Sequence, residues 1–279
     1  MNFTMYARFA DMLAQHGIEK TAEYAVKMNF TSVEMFEDAV SKKYTISDLT
    51  TAGNVKKVLK ENDLSMACYS VYANVWKNKE TIKDLMRLVE IATELGAKYF
   101  HHTLLPGSRL QDRPTYEEGI REAVNAASQI ADYASQMGLI CIYEDQGQYV
   151  NGVKGFGGFW TEMKKRCGNI GICADLGNIM FVNESPETFL EAYVKDVCHV
   201  HVKDYLWKKA SISPGRYWHR AKGDNWLRDT MVGSGVINFE ACMKILKKAE
   251  YSGAFALELG HPEPYDDGVM QAMEYLQRI

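Results

Sequence analysis

Short apolar runs alternate along the whole chain with longer stretches in which apolar residues recur every three to four positions. The runs Thr4–Arg8, Ser32–Glu37, Ser65–Val71, Lys98–Leu105, Leu139–Glu144, Ile170–Asp175, Val197–Asp204 and Ala254–Leu259 read as strands. Helical periodicity fills Ile18–Met28, Asn54–Asn62, Glu80–Leu95, Tyr116–Met137, Phe159–Arg166 and Phe239–Ala249 between them. Ser185 followed by Pro186 has the cap-then-first-turn form of a further helix start. The glycine-rich stretch Gly152–Gly158 reads as a flexible connection. No strand is followed by the glycine-rich loop that cradles a nucleotide phosphate.

Eight apolar strands, each separated from the next by room for a helix, predict parallel βαβ crossovers. At about 35 residues per unit the pattern suits a closed (β/α)8 barrel, a TIM barrel, as one domain over residues 1–279. A doubly wound open sheet is the alternative that periodicity leaves standing. The one break in the rhythm is an insertion over about 205–230, after the seventh strand.

Composition narrows the class. With 47% hydrophobic residues and 32 Lys+Arg against 36 Asp+Glu, the chain can bury a large core and carries a net charge of −4. No basic block offers a nucleic-acid groove or a membrane-surface patch, and no apolar run reaches the ~18 residues of a membrane span. Six cysteines lie scattered as single residues, most of them in apolar runs, which predicts reduced thiols in a cytoplasmic protein.

The strands end on ionisable residues: Glu37, His101 and His102, Glu144 and Asp145, Asp175, His201 with Lys203 and Asp204, and Glu258 with His261. In a barrel these ends converge on one rim, where so many acids need a compensating cation. The strand period of two puts Ile140 and Ile142 on the face of Glu144, and Gly171 and Cys173 on that of Asp175. It likewise sets His199 and Lys203 with His201, and Ala254 and Ala256 with Glu258. Three carboxylates and one imidazole from successive strands form a donor set for one divalent metal ion. Mn2+ comes first, with Mg2+, Co2+ and Zn2+ as rivals.

The strings Gly138-Leu-Ile-Cys-Ile-Tyr-Glu144, Cys-Ala-Asp175-Leu-Gly-Asn178 and Val-His-Val200-His201-Val-Lys203-Asp204 resemble the sugar isomerase/epimerase family with the xylose-isomerase-like TIM barrel. Val232-Gly-Ser-Gly235, Tyr251-Ser-Gly253 and Ala-Leu-Glu258 continue the likeness. The family includes ketose 3-epimerases, inosose isomerases and dehydratases, hydroxypyruvate isomerases and an endonuclease branch. The resemblance implies that Glu144, Asp175, His201 and Glu258 hold the metal and that Glu144 and Glu258 act as catalytic acid and base. The implied reaction is proton transfer through an enediolate of a ketose, inosose or related hydroxyketone. The alternative is a lyase of the inosose dehydratase type built on the same ligands. The partner is then a small sugar or polyol-derived molecule, with no nucleic acid and no membrane. One departure is Asn178, which stands where many epimerases carry a substrate-contacting histidine and cannot carry a proton.

Asn178, Lys203, His101, His102 and Trp218 are the expected substrate contacts. Adjacent histidines on a strand cannot both face the pocket, so one of His101 and His102 is structural. Glu34 and Trp76 are weaker candidates of the same kind, and His16 falls in a loop without an assignable job. Trp207, Tyr217, Trp218, His219, Arg220 and Trp226 in the insertion suit either a wall over the substrate or a homo-oligomer surface.

Overall fold

The computed structural model describes residues 1–105, 113–260 and 263–279. Eight parallel strands close into a barrel: β1 (Phe3–Met5), β2 (Ser32–Asp38), β3 (Ser65–Tyr72), β4 (Tyr99–His102), β5 (Ile140–Glu144), β6 (Ile170–Asp175), β7 (Val197–Val202) and β11 (Phe255–Leu257). β11 pairs with both β1 and β7, and this closure removes the open doubly wound sheet as an alternative. Helices α1 (Arg8–His16), α2 (Ile18–Lys27), α3 (Leu49–Glu61), α4 (Lys79–Leu95), α5 (Tyr116–Gln136), α6 (Gly152–Arg166), α7 (Pro186–Tyr193), α8 (Phe239–Lys248) and α9 (Tyr265–Arg278) connect or cover the strands. Their apolar faces join the outward residues of the strands in one large core. Inside the barrel a small separate cluster of Cys68, Tyr99, Ile142 and Cys173 fills the layer below the rim. No helix among the described residues is long and apolar enough to cross a membrane.

Local chemistry explains the boundaries. Ser185 caps α7, its hydroxyl accepting the Thr188 N–H, with Pro186 in the first turn. Thr115 and Glu118 form a reciprocal capping box at the start of α5.

Two expectations give way. β1 stops at Met5 rather than Arg8, because Phe9, Met12 and Leu13 recur at helical spacing and α1 takes over; His16 is its last residue. The stretch Gly152–Gly158 is helix, the first half of α6. Its glycines admit close neighbours: a Cβ on Gly155 would lie 2.9 Å from the Tyr149 carbonyl oxygen, and one on Gly158 would strike the Tyr116 hydroxyl. The insertion, whose form the sequence leaves open, is built of strands. It forms an antiparallel sheet of β8 (Asp204–Lys209), β9 (His219–Arg220) and β10 (Asn225–Thr230), in the order β8-β10-β9. β8 follows β7 after one residue, and the sheet packs Tyr205, Ala221 and Leu227 against Met180 and Phe181 of the 3-10 turn after β6.

Candidate metal centre and active site

His201, near the end of β7, is fully buried at the centre of the rim. Its Nδ1 lies 3.0 Å from Glu144 Oε1, 3.5 Å from Glu258 Oε2 and 3.9 Å from Asp175 Oδ2. One ligand atom from each of the four residues falls within 4.8 Å of the others, a spread that a single cation could bridge. In barrel order their strands run β11-β7-β6-β5, so Glu258 and Glu144 flank Asp175 and His201. Three oxygens and one imidazole nitrogen suit a divalent ion that accepts mixed hard donors.

The backbone fixes each ligand. Asp175 Oδ1 accepts the N–H groups of Gly177 (2.8 Å) and Asn178 (2.9 Å), which leaves Oδ2 toward the cluster. The Asp175 N–H in turn donates to Asp145 Oδ1 at 2.9 Å. His201 Nε2 lies 3.1 Å from Glu34 Oε1, which holds the ring with Nδ1 toward the carboxylates, and Tyr6 stacks on the imidazole at 4.6 Å. A carboxylate behind a ligating imidazole is a common way to set ring orientation and basicity.

Lys203 supplies the other positive charge. Its Nζ lies 2.7 Å from Glu258 Oε1, 2.8 Å from Asp175 Oδ2 and 3.2 Å from Asn178 Oδ1. Gly177 makes room for it, since a Cβ there would collide with the lysine stem. Asn178 Nδ2 is buried without a hydrogen-bond partner among the described residues, leaving a donor free for a ligand.

Charge is shared unevenly. Burial pushes the Glu144 carboxyl up to about 8; Asp175 and Glu258 add to this while the His201 hydrogen bond opposes it. Burial also raises Asp145, reinforced by Asp175. Burial works against ionised Asp175, yet Lys203 and His201 hold it below the usual range. Glu258 is raised by burial, with Lys203 pulling the other way. Burial opposes a charged His201, but the surrounding groups, Cys173 and Glu34 foremost, raise it well above the usual imidazole value.

The remaining candidates separate. His101 faces the lumen, with Nε2 3.7 Å from Glu144 Oε2 and Nδ1 3.2 Å from the Ser70 hydroxyl. Burial, with His201 next in weight, lowers it to about 3. His102 points the other way, packed edge-on to Tyr143 in the layer between sheet and helices, and its Nδ1 meets the Thr103 carbonyl. Trp218 is half-buried beside β9, and a surface cavity there is lined by Tyr217 and His219 on either side of it rather than by Trp218. Glu37 faces outward and accepts the N–H groups of Thr45 and Ile46. Asp204 accepts the N–H groups of Gly233, Gly235 and Ile237 and so pins the turn before α8. His261 lies outside the described residues. Glu34 proves central rather than peripheral, since it also binds His199 Nε2 at 2.8 Å and the Ser70 hydroxyl at 2.5 Å.

A family model for the xylose isomerase-like TIM barrel matches residues 22–279. The chain belongs to that family. Among curated relatives of this xylose isomerase-like barrel, the inosose dehydratase of Bacillus thuringiensis (strain Al Hakam) is 21% identical over 239 residues, covering 78% of this chain and 77% of that protein. D-allulose 3-epimerase from Methylomonas sp. superposes with a TM-score of 0.74 at 16% identity, covering 100% of this chain and 97% of that one. A xylose isomerase-like TIM barrel protein from Mycobacterium smegmatis, solved in complex with magnesium, gives a TM-score of 0.71 at 14% identity over 99% of this chain and 95% of that one. At these identities the structural matches establish the fold.

Proposed function

We propose that this xylose isomerase-like barrel is a divalent-metal-dependent sugar isomerase or epimerase that moves a proton beside the carbonyl of a ketose, inosose or related hydroxyketone. The observation that carries it is the set of four ligand atoms from Glu144, Asp175, His201 and Glu258, all within 4.8 Å of one another. The donor set favours Mn2+, with Mg2+, Co2+ and Zn2+ as rivals. Such an ion, held by these four residues, would supply a Lewis acid that polarises the substrate carbonyl and so acidifies the C–H of the neighbouring hydroxyl-bearing carbon. Glu258 and Glu144, on the two outer strands of the set, are the proton-transfer groups: one takes the α-proton and the other returns it. Lys203, already against Glu258, holds the developing oxyanion, and the free Asn178 amide donates to a substrate hydroxyl. His101 closes the wall beside Glu144, next to Thr103, Leu104 and Gln146.

The relatives named as dehydratases keep one alternative in play, elimination of water from the same enediolate. Product mass separates the two, since elimination loses one water.

The test is α-proton exchange in D2O with Mn2+-saturated protein and a panel of ketoses and inososes. Wild type exchanges the α-proton with only the mass gain of the deuterium and no loss of water. Glu144→Gln blocks exchange from one epimer and Glu258→Gln from the other, each by about 10²–10⁴-fold. Exchange at the wild-type rate from both epimers in either metal-loaded variant would exclude that glutamate as a base.

A further inference from the structure

Beside the rim, the inserted sheet walls a cavity of about 230 Å³, lined among the described residues by Tyr217, His219, Arg228, Asp229 and Gly260. At about 30 Å³ per water it has room for some seven waters, the scale of one sugar ring. Gly260 stands two residues after Glu258, at most about 7 Å along extended backbone, so the cavity adjoins the proposed reaction centre. The contact is built in: a Cβ on Gly260 would lie 2.9 Å from Asp229 Oδ1.

The lining mixes donors and acceptors. Asp229 faces His219 Nε2 at 3.6 Å. Arg228 Nε is buried with no hydrogen-bond partner among the described residues, an unmet donor that a ligand oxygen would satisfy. Tyr217 is 52% exposed and is held at a φ of 68°, a left-handed backbone uncommon for an aromatic residue. Arg216 sits 4.8 Å from the centre of its ring. An anion here would meet Asp229 and a cation would meet Arg228, whereas hydroxyl groups pair with both.

We propose that this cavity is a subsite for a second, neutral sugar ring, so that the substrate is a glycoside whose other ring is deprotonated between Glu144 and Glu258. The assignment rests on the isomerase/epimerase reading of the metal centre and extends it from reaction type to substrate class. Arg228 and Asp229 bind the hydroxyls of the second ring, and Tyr217 offers it an apolar face.

The first measurement needs no turnover. Methyl β-D-glucopyranoside is titrated into the metal-free protein, with inorganic phosphate as the anionic control, and backbone amide NMR shifts are followed at Tyr217 and Gly260. Both amides shift with the glucoside, and Arg228→Met weakens the binding by about tenfold or more. No shift with the glucoside, or its displacement by phosphate, overturns the subsite. The second measurement compares kcat/KM of Mn2+-loaded protein for a ketose and for the same ketose bearing a glucosyl ring. Wild type prefers the two-ring compound by about tenfold or more, and in Arg228→Met and Tyr217→Ala the ratio falls toward one. A ratio near one in wild type, or a preference that survives both substitutions, overturns the proposal. If no sugar exchanges its α-proton, the isomerase reading fails instead, and the glucoside titration alone decides whether the cavity takes a sugar ring.

Discussion

The barrel rim and the inserted sheet lie side by side, yet they hold their functional groups in opposite ways. Glu144, Asp175 and His201 close the ends of parallel strands that are hydrogen-bonded on both sides, and all three are buried. Tyr217 and His219 stand on a turn and a two-residue strand at the edge of a three-stranded sheet, and both are exposed. Strand ends locked by neighbours can fix several ligand atoms around one ion. An edge with exposed side chains can change without disturbing the barrel, which suits the discrimination of substrates. The difference predicts that the rim is sensitive to what lies beneath it and that the inserted sheet is not.

The largest effect that sharpens this contrast comes from Glu34, which stands outside the four-residue cluster but binds His201 Nε2. A bulge between Val33 and Glu34 turns this side chain into the lumen, where burial is outweighed by His201 and His199 and the carboxyl stays well below its usual range. Glu34→Gln removes the charge that steadies His201 and should weaken metal affinity by about 10–100-fold, measured by competition with a chelator. Asp229→Asn, in the inserted sheet, should leave that affinity unchanged. Equal losses in the two variants would erase the distinction between the regions.

A smaller effect concerns pH. Glu144 must be ionised to act as a ligand, and burial holds its carboxyl near 8 in the metal-free protein. Below that value the carboxyl is protonated, so metal binding releases a proton. Apparent affinity should therefore rise with pH, by up to about tenfold per unit for the Glu144 proton. The charged His201 must also give up a proton to become a ligand, so the rise continues above about 8. Calorimetry in buffers of different ionisation enthalpy counts the released protons directly. A flat affinity between pH 6 and 8 would mean that the metal displaces a proton from neither group.

Much of the rim is legible in the sequence because strand alternation and strand ends both leave marks there. Glu144, Asp175, His201 and Glu258 each terminate an apolar run, and the structure brings their ligand atoms together. Alternation also separates His101 from His102. Tyr6 escapes because it bears no charge at neutral pH and only the closed barrel brings it onto His201. Glu34 is underweighted because it sits early in its run, and the bulge that re-aims it has no sequence signal. Glu37 and Asp204 mislead for a related reason: each ends a strand but spends its oxygens on backbone N–H groups outside the cluster. The inserted sheet is the least legible part. Its strands pair antiparallel across Asp204–Thr230, and neither a helical period nor a barrel strand anticipates them.

The smallest expected effect tests the one aromatic that the sequence favours and the structure moves aside. Trp218 is flanked by Tyr217 and His219, which both line the cavity, while Trp218 itself is half-buried and outside its lining. Trp218→Ala removes a large side chain from an exposed edge, so a modest loss of thermal stability is expected, and any effect on turnover must act through the position of Tyr217. The kcat/KM of the variant should therefore fall less than that of Tyr217→Ala for a two-ring substrate, and the preference for two rings over one should survive. The measurement is the same pair of substrates used for the subsite, together with a melting curve. If Trp218→Ala abolishes the preference at unchanged melting temperature, Trp218 itself meets the substrate, and the inserted sheet closes farther over the rim than its cavity lining indicates.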